Sequence, residues 1–218
     1  MKTSYLSLSL AALTTFVFTQ CKKDDAGPAP VNFSPLTTSS SWTYKYTEGS
    51  RAATTFRLTA LNKDTIVASG KTYKVLTSSD GGPNNYLGKD GSNYYRFASF
   101  PSLGINNFEE LYLKDNESVN GKWTGEANIN YMGAALKANL VYTIKGKGES
   151  RTVLGKAYNN VVYVRLDIAL FGSNAGGGDF YYAEGIGMIE NTILVTPPPI
   201  TGGQPYSSHQ ELVSHEIK

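Results

Sequence analysis

Apolar and polar residues alternate in short runs along most of the chain, and turn residues separate these runs. Trp42, Tyr44 and Tyr46 share one face of the first run, and the longest run extends from Tyr158 to Leu170. A period of two residues is typical of a half-buried β-strand. No long stretch shows the 3.6-residue period of an amphipathic helix. The sequence therefore predicts one all-β domain at residues 42–195.

Short turns connect the predicted strands. Asp90-Gly91 stands between two alternating runs, which is the strongest short-range signal for a β-hairpin. Further turns are predicted at residues 62–64, at residues 146–148 and at Gly155-Lys156. Strands joined by turns this short pair as antiparallel neighbours. We therefore expect an antiparallel meander that curls into an open barrel or half-barrel.

Two regions are predicted to interrupt this sheet. Residues 98–108 contain Pro101 and Gly104 and predict irregular structure. Four apolar side chains in that region are expected to be exposed: Phe100, Leu103, Ile105 and Phe108. The second region, Gly172 to Gly178, is rich in glycine and predicts a flexible loop.

Landmarks recur in a similar order in the two parts of the domain. They are a tryptophan (Trp42 and Trp123), a Gly-Lys-x-Tyr turn (Gly70 and Gly155) and a Tyr-Tyr pair (Tyr94 and Tyr181). Such a recurrence predicts two pseudo-repeats of one meander. Chance similarity among tyrosine-rich hairpins is the alternative, and the sequence leaves both open.

The charge balance excludes one class of partner. The chain has 218 residues, a formal net charge of +2 and only 17% charged residues. Nucleic-acid binding depends on a clustered basic face that neutralises phosphates. This composition offers no such face, so we expect no nucleic-acid partner.

Few residues in the domain could carry out catalysis. The histidines, His209 and His215, lie in the C-terminal tail, and Cys21 is the one cysteine. A Ser-His-Asp triad, a Cys-His pair and the common zinc sites are therefore not expected in the domain body. Carboxylates such as Glu109 and Glu110 could serve a hydrolase. Adjacent strand residues face opposite ways, however, and we expect solvated turn charges instead. We predict no catalytic residue, metal site or cofactor.

Tyrosines are the main candidates for ligand contact, and the chain has 15 of them. Their rings could stack on sugars, or they could pack in the core and in cross-strand pairs. Packing is the favoured interpretation, with ligand contact kept as the alternative. The five candidate contact residues are Tyr94, Tyr95, Tyr112, Tyr181 and Tyr182.

The C-terminal region, residues 196–218, differs from the strands that precede it. Pro197-Pro198-Pro199 and Gly202-Gly203 predict a loop, because proline and glycine interrupt regular structure. Leu212-Val213 in the tail could form a last strand at the edge of the sheet.

The N-terminal sequence predicts an export signal. A short positive n-region precedes an uncharged, largely apolar stretch at residues 5–18, which is the length of a secretory signal core. Phe18-Thr19-Gln20-Cys21 resembles a bacterial lipobox, and Lys22-Lys23-Asp24-Asp25 looks like the surface-export signal of Bacteroidota lipoproteins. The resemblance implies a signal peptide at residues 1–20 and a lipidated Cys21. A proline-rich tether at residues 21–41 would then hold the domain at the outer membrane or cell surface.

A second resemblance lies near the end of the domain. Residues 181–189, Tyr-Tyr-Ala-Glu-Gly-Ile-Gly-Met-Ile, look like the closing strand of Bacteroidota lipoproteins of uncharacterised function. Some of these resemble the open β-barrel of lipoprotein carriers, which implies a concave face for a hydrophobic ligand. We therefore expect a membrane-anchored, non-catalytic binding or scaffolding protein. A glycan-binding module of a surface nutrient-uptake system is the alternative, and a carboxylate hydrolase is less favoured.

Overall fold

A closed β-barrel forms the described part of the protein. The computed structural model describes residues 31–100, 105–131, 134–196 and 204–218. These residues contain twelve strands, each paired antiparallel with its sequence neighbours, and β1 also pairs with β12. The strands are β1 (Ser41–Glu48), β2 (Thr54–Ile66), β3 (Thr72–Ser78), β4 (Asn85–Asp90), β5 (Asn93–Phe100), β6 (Ile105–Lys114), β7 (Lys122–Tyr131), β8 (Ala134–Val153), β9 (Lys156–Leu170), β10 (Ser173–Ala183), β11 (Gly187–Val195) and β12 (Tyr206–Glu216). Within the same residues, no helix is long and apolar enough to span a membrane.

The predicted all-β antiparallel meander is confirmed, and the ring is closed. The predicted edge strand of the tail is β12, which lies between β11 and β1 and has no free edge. Its register places His215 opposite Trp42, with a bulge between Thr43 and Tyr44. Closure pairs the backbone groups that would otherwise form exposed sheet edges. Cys21 and the predicted signal peptide lie outside the described residues.

Several predicted interruptions are irregularities inside continuous strands. The predicted turn at residues 62–64 coincides with a register shift in β2, and residues 146–148 lie at two shifts in β8. The predicted loop at Gly172 to Gly178 lies largely within β10. Gly176 and Gly177 are required there, because a Cβ atom at either would lie 2.0 Å from a carbonyl oxygen of the neighbouring strand. Glycine suits a bulge or a close backbone approach as well as a turn.

Residues 98–108 are also more regular than predicted. β5 continues to Phe100 and β6 begins at Ile105. Ile105 is buried, with 9% of its surface exposed, so the expectation that it is exposed is wrong. Phe108 is half-buried against the core. Leu103 and the side chain of Phe100 lie outside the described parts.

One side of the barrel interior is tightly filled. Trp123 of β7 stacks on Tyr142 of β8, with ring centroids 5.3 Å apart and planes 3° from parallel. Aliphatic and aromatic side chains of β8, β9 and β10 complete this region. We call it the packed side, defined by Trp123, Leu140, Tyr142, Ile144, Val164, Leu166 and Phe180. Branched side chains on a pleated surface fit together well, so these strands suit a dense core.

An N-terminal segment, residues 31–36, covers the barrel end at which β1 begins. The amide of Gly185, in the β10–β11 turn, donates to the carbonyl of Asn32 over 2.7 Å. The amide of Phe33 donates to the hydroxyl of Tyr94 over 3.2 Å, and only 4% of Phe33 is exposed. The proline and serine content of residues 21–41 predicted a tether. Its described part, from Val31 onward, is fixed to the barrel.

The β8–β9 hairpin extends beyond β10 and folds back. Ala183, the last residue of β10, pairs with Val161, whereas β8 and β9 continue to pair as far as Val153 and Lys156. Arg151 in this extension lies 3.4 Å from the ring centroid of Tyr181 and donates to Glu190 over 2.5 Å. The extension therefore covers part of β10 and β11, fixed by a cation–π contact and an ion pair.

Candidate ligand cavity

The other side of the interior contains a cavity of about 130 Å³. Its walls come from β1 to β6 and from β10 to β12, and Phe33 and Ser34 of the N-terminal segment complete them. Lining from so many strands places the cavity inside the ring. We call this region the cavity side.

Most of the cavity wall is apolar or aromatic. Tyr112 of β6 and Tyr182 of β10 stack with centroids 5.3 Å apart. The remaining apolar lining consists of Phe33, Trp42, Phe56, Leu58, Leu76, Leu87, Ile186 and Met188. An apolar cavity of about 150 Å³ in another protein stays dry and binds benzene. The cavity side has the size and chemistry to hold a similar small molecule.

Two aromatic side chains of the lining are held by hydrogen bonds to the barrel wall. The indole nitrogen of Trp42 donates to the carbonyl of Ile186 over 2.6 Å. The hydroxyl of Tyr44 donates to the carbonyl of Met188 over 2.9 Å. These bonds satisfy the polar ends of both rings, so the rings lie along the wall and present apolar surface to the cavity.

A buried ion pair separates the cavity from the packed side. Arg96 of β5 lines the cavity, and its Nε donates to Oε2 of Glu110 over 2.9 Å. Glu110 lies opposite it on β6, is 4% exposed, and accepts a hydrogen bond from Tyr142 at Oε1 over 2.8 Å. Burial is the largest single influence on the pKa of Arg96 and lowers it, but the charge and hydrogen bond of Glu110, together with Tyr182 and Tyr142, raise the pKa above its ordinary value. The guanidinium therefore stays protonated beside its carboxylate.

Titration of the lining tyrosines does not change the charge of the cavity at physiological pH. Burial raises the pKa of Tyr112 to about 12, against smaller opposing effects from Ser34 and Arg96. Burial also raises the pKa of Tyr44 and of Tyr182 far above the ordinary value. All three hydroxyls are therefore neutral, and the ion pair sets the local charge.

Asn85 of β4 and Gln210 of β12 supply neutral polar groups to the lining. A side-chain amide offers both hydrogen-bond donors and an acceptor. These two residues lie on well-separated strands of the ring. A ligand with one polar group could therefore be oriented by an amide without the cost of burying a charge.

The five candidate tyrosines occupy three different environments. Tyr112 and Tyr182 line the cavity. Tyr94 is fully buried, accepts from the Phe33 amide and donates to Asp115 over 2.6 Å. Tyr95 lies under the ammonium of Lys71, and Tyr181 stacks on Tyr163 at 4.6 Å, both away from the cavity lining. The ring of Tyr94 also contacts that of Tyr112, with centroids 6.3 Å apart. The structure thus brings three of the five together, of which only Tyr112 and Tyr182 line the cavity.

The Arg96–Glu110 ion pair was not predicted from the sequence. Glu109 and Glu110 do diverge as expected, since Glu109 contacts Lys71 and Ser69 while Glu110 contacts Arg96. The expectation of a solvated turn charge is wrong for Glu110, which is buried within β6. The sequence signal that could have revealed this ion pair is the placement of opposite charges at facing positions of the β5–β6 hairpin.

The histidines lie on the last strand. His209 is 3.1 Å from a carboxylate oxygen of Glu190, and the ring of His215 lies 6.4 Å from that of Tyr158. In the ranges that the structure describes, no three His, Cys, Asp or Glu side chains form a group that could hold a metal ion.

The fold and cavity together define a closed, twelve-stranded antiparallel β-barrel with an apolar internal site. No protein-family model matches the chain, no curated protein is significantly similar to its sequence, and no solved structure is significantly similar to its fold.

Proposed function

We propose that this protein is a non-catalytic, lipid-anchored extracytoplasmic protein that holds a small hydrophobic ligand inside its barrel. The observation that carries the proposal is the cavity of about 130 Å³ with its apolar and aromatic lining. Ligand sites are typically concave and apolar with a few polar groups that fix orientation. Tyr112, Tyr182, Asn85 and Gln210 fit that description.

The anchor part of the proposal rests on the N-terminal sequence. Cys21 follows a signal-like stretch and precedes a lysine and aspartate cluster. Acyl chains contribute about 0.8 kcal/mol per buried methylene, and two or more chains hold a protein firmly at a membrane. A diacylated or triacylated Cys21 would therefore retain the barrel at the outer membrane or cell surface.

Two alternatives receive less support. A carboxylate hydrolase needs two carboxyl groups facing one substrate. Glu110 faces Arg96 inside the barrel, whereas Glu109 faces Lys71 and Ser69. A glycan platform needs accessible rings, but Trp42 and Trp123 are buried. The outward Tyr163–Tyr181 stack is covered on Tyr181 by Arg151.

Metabolic labelling tests the anchor. Cells producing the wild-type chain should incorporate labelled palmitate into this protein, and Cys21→Ala should abolish the label. Lys23→Ala, a change in the same segment, should leave labelling intact and serve as the control. Protease treatment of intact cells then reports surface exposure. An unlabelled, freely soluble wild-type protein would contradict the anchor.

Nuclear magnetic resonance tests the ligand site. Met188 lines the cavity, so its ¹³C-methyl signal, assigned with Met188→Leu, reports binding inside the barrel. The mature protein, in lipid nanodiscs if it is acylated, should show saturable shifts with single-ring compounds. Leu87→Phe should reduce those shifts by filling the cavity. No shift with any such compound would contradict the ligand part of the proposal.

A further inference from the structure

We infer that the cavity selects uncharged ligands, consisting of one small apolar ring with a neutral polar substituent such as a carboxamide or hydroxyl. The inference rests on the proposed function, since it specifies what the cavity would bind. It differs from the expectation of a generic hydrophobic ligand because it excludes carboxylic acids such as fatty acids.

Arg96 is the one charged side chain among the described lining residues. Its charge is balanced by Glu110 directly behind it, with Nε and Oε2 2.9 Å apart. Glu110 is also bound by Tyr142 over 2.8 Å, so the carboxylate is held in place. The wall is therefore electrically neutral before any ligand enters.

Adding a charged ligand to that wall is energetically unfavourable. An anionic ligand would compete with Glu110 for the same guanidinium, and one of two buried negative charges would remain without a counter-charge. A cationic ligand would face the guanidinium itself. A buried charge without a partner is strongly unfavourable, whereas a neutral group that forms a hydrogen bond is tolerated.

Asn85 and Gln210 offer amide donors and acceptors from two strands of the ring. A neutral substituent can pair with such groups without a change in net charge. The stacked rings of Tyr112 and Tyr182 and the volume of about 130 Å³ suit one aromatic ring.

Three isosteric probes separate charge from shape: benzamide, benzoate and benzamidine, which are neutral, anionic and cationic at neutral pH. Binding is followed through the Met188 methyl signal of the mature protein. We expect benzamide to bind roughly tenfold or more tightly than either ion. Equal or tighter binding of benzoate or benzamidine would overturn the inference while leaving a ligand-binding barrel. Failure of all three, and of uncharged rings such as toluene, would overturn the proposed function and the inference with it.

Glu110→Gln provides the sharper test, because it removes the negative charge that faces Arg96. The variant should shift the benzoate-to-benzamide affinity ratio by roughly tenfold or more in favour of benzoate. Glu126→Gln is the matched control, since Glu126 is 59% exposed, paired with Lys137 and absent from the lining. It makes the same change in net charge and should leave the ratio unaltered.

Circular dichroism confirms that each variant is folded before binding is measured. If Glu110→Gln does not fold, Arg96→Gln replaces it, and benzamidine should then gain affinity relative to benzamide. A folded variant with an unchanged order of affinities would overturn the inference. Should both variants fail to fold, the ranking in the wild-type protein decides it.

Discussion

The two sides of the barrel interior are built from the same kind of strand but filled differently. On the packed side, Leu166 and Val164 of β9 meet side chains of β8 and β10, and Trp123 lies flat on Tyr142. On the cavity side, Trp42 and Tyr44 are bonded to backbone carbonyls of the wall. Rings fixed along a wall cannot move inward to close a gap. The comparison shows how one barrel can combine a dense core with an open site.

The ion pair between the two sides should give the largest effect on stability. Arg96→Met removes one partner and leaves the Glu110 carboxylate buried without its counter-charge. We expect a loss of about 3–5 kcal/mol in the free energy of unfolding, measured in urea. Adding Glu110→Leu to the same chain should restore most of that loss. If Arg96→Met alone were as stable as the wild type, the ion pair would not be needed between the packed side and the cavity side.

Matched leucine substitutions compare the two sides directly. Leu166→Ala on the packed side should cost about 3–4 kcal/mol, because the surrounding side chains are close-packed. Leu76→Ala on the cavity side should cost about half of that, since Leu76, although buried, borders the existing cavity on one side. Both are measured by urea unfolding. Equal costs, or a larger cost at Leu76, would contradict the distinction between the sides.

The N-terminal segment should be the weakest part of the cavity wall. Phe33→Ala should lower local stability by about 1–2 kcal/mol, because the segment can detach without breaking any strand. Hydrogen exchange of the Gly185 amide, which donates to Asn32, reports this opening. The Ile144 amide, bonded to Gly121, is the control and should exchange unchanged. Faster exchange at both amides would indicate global destabilisation instead.

A substitution in the ion pair on the outer surface should have the smallest effect on stability. That effect should depend on pH. Burial raises the pKa of Glu190, but hydrogen bonds and charges from Arg151 and His209 outweigh it, so the pKa lies below the usual 4.5. A lowered carboxylate pKa adds stability above pH 4.5 that is lost as the pH falls further. Glu190→Gln should therefore cost about 0.5–1 kcal/mol at neutral pH. That cost should shrink under acid, as measured by thermal melting across the pH range.

Local chemistry made the strands and several turns predictable. The Asp90-Gly91 turn is present with Gly91 at a φ of 57°, and the predicted strand at Tyr158 to Leu170 is β9, which begins two residues earlier. Closure was not predictable, because the pairing of β1 with β12 joins opposite ends of the chain. Glycine and asparagine are common both in turns and in β-bulges. Residues 146–148 therefore predicted a turn, although they lie within β8.

The candidate site was predictable only in part. Tyr112 and Tyr182 were among the five candidate tyrosines, but their meeting depends on the curvature that brings β6 near β10. Arg96 and Glu110 gave a weaker signal, because ion pairs on most strands face solvent. Their burial follows from facing inward on β5 and β6, which depends on the closed ring.

The pseudo-repeat remains a prediction with mixed support. Trp42 and Trp123 lie on β1 and β7, and Gly70 and Gly155 lie in the β2–β3 and β8–β9 turns. Both pairs are six strands apart, as a duplicated six-stranded unit requires. Tyr94 and Tyr181 lie on β5 and β10, only five strands apart. The Tyr-Tyr pairs therefore do not recur at the six-strand spacing of the other two landmarks.

The position of Phe33 has a mechanical consequence. This ring lines the cavity, yet it precedes β1 and joins the barrel to the stretch that would carry the anchor. Force applied along the N-terminus would reach Phe33 before it loads any strand. Such a pull would withdraw Phe33 and Ser34 from the cavity wall while the ring of twelve strands stays intact.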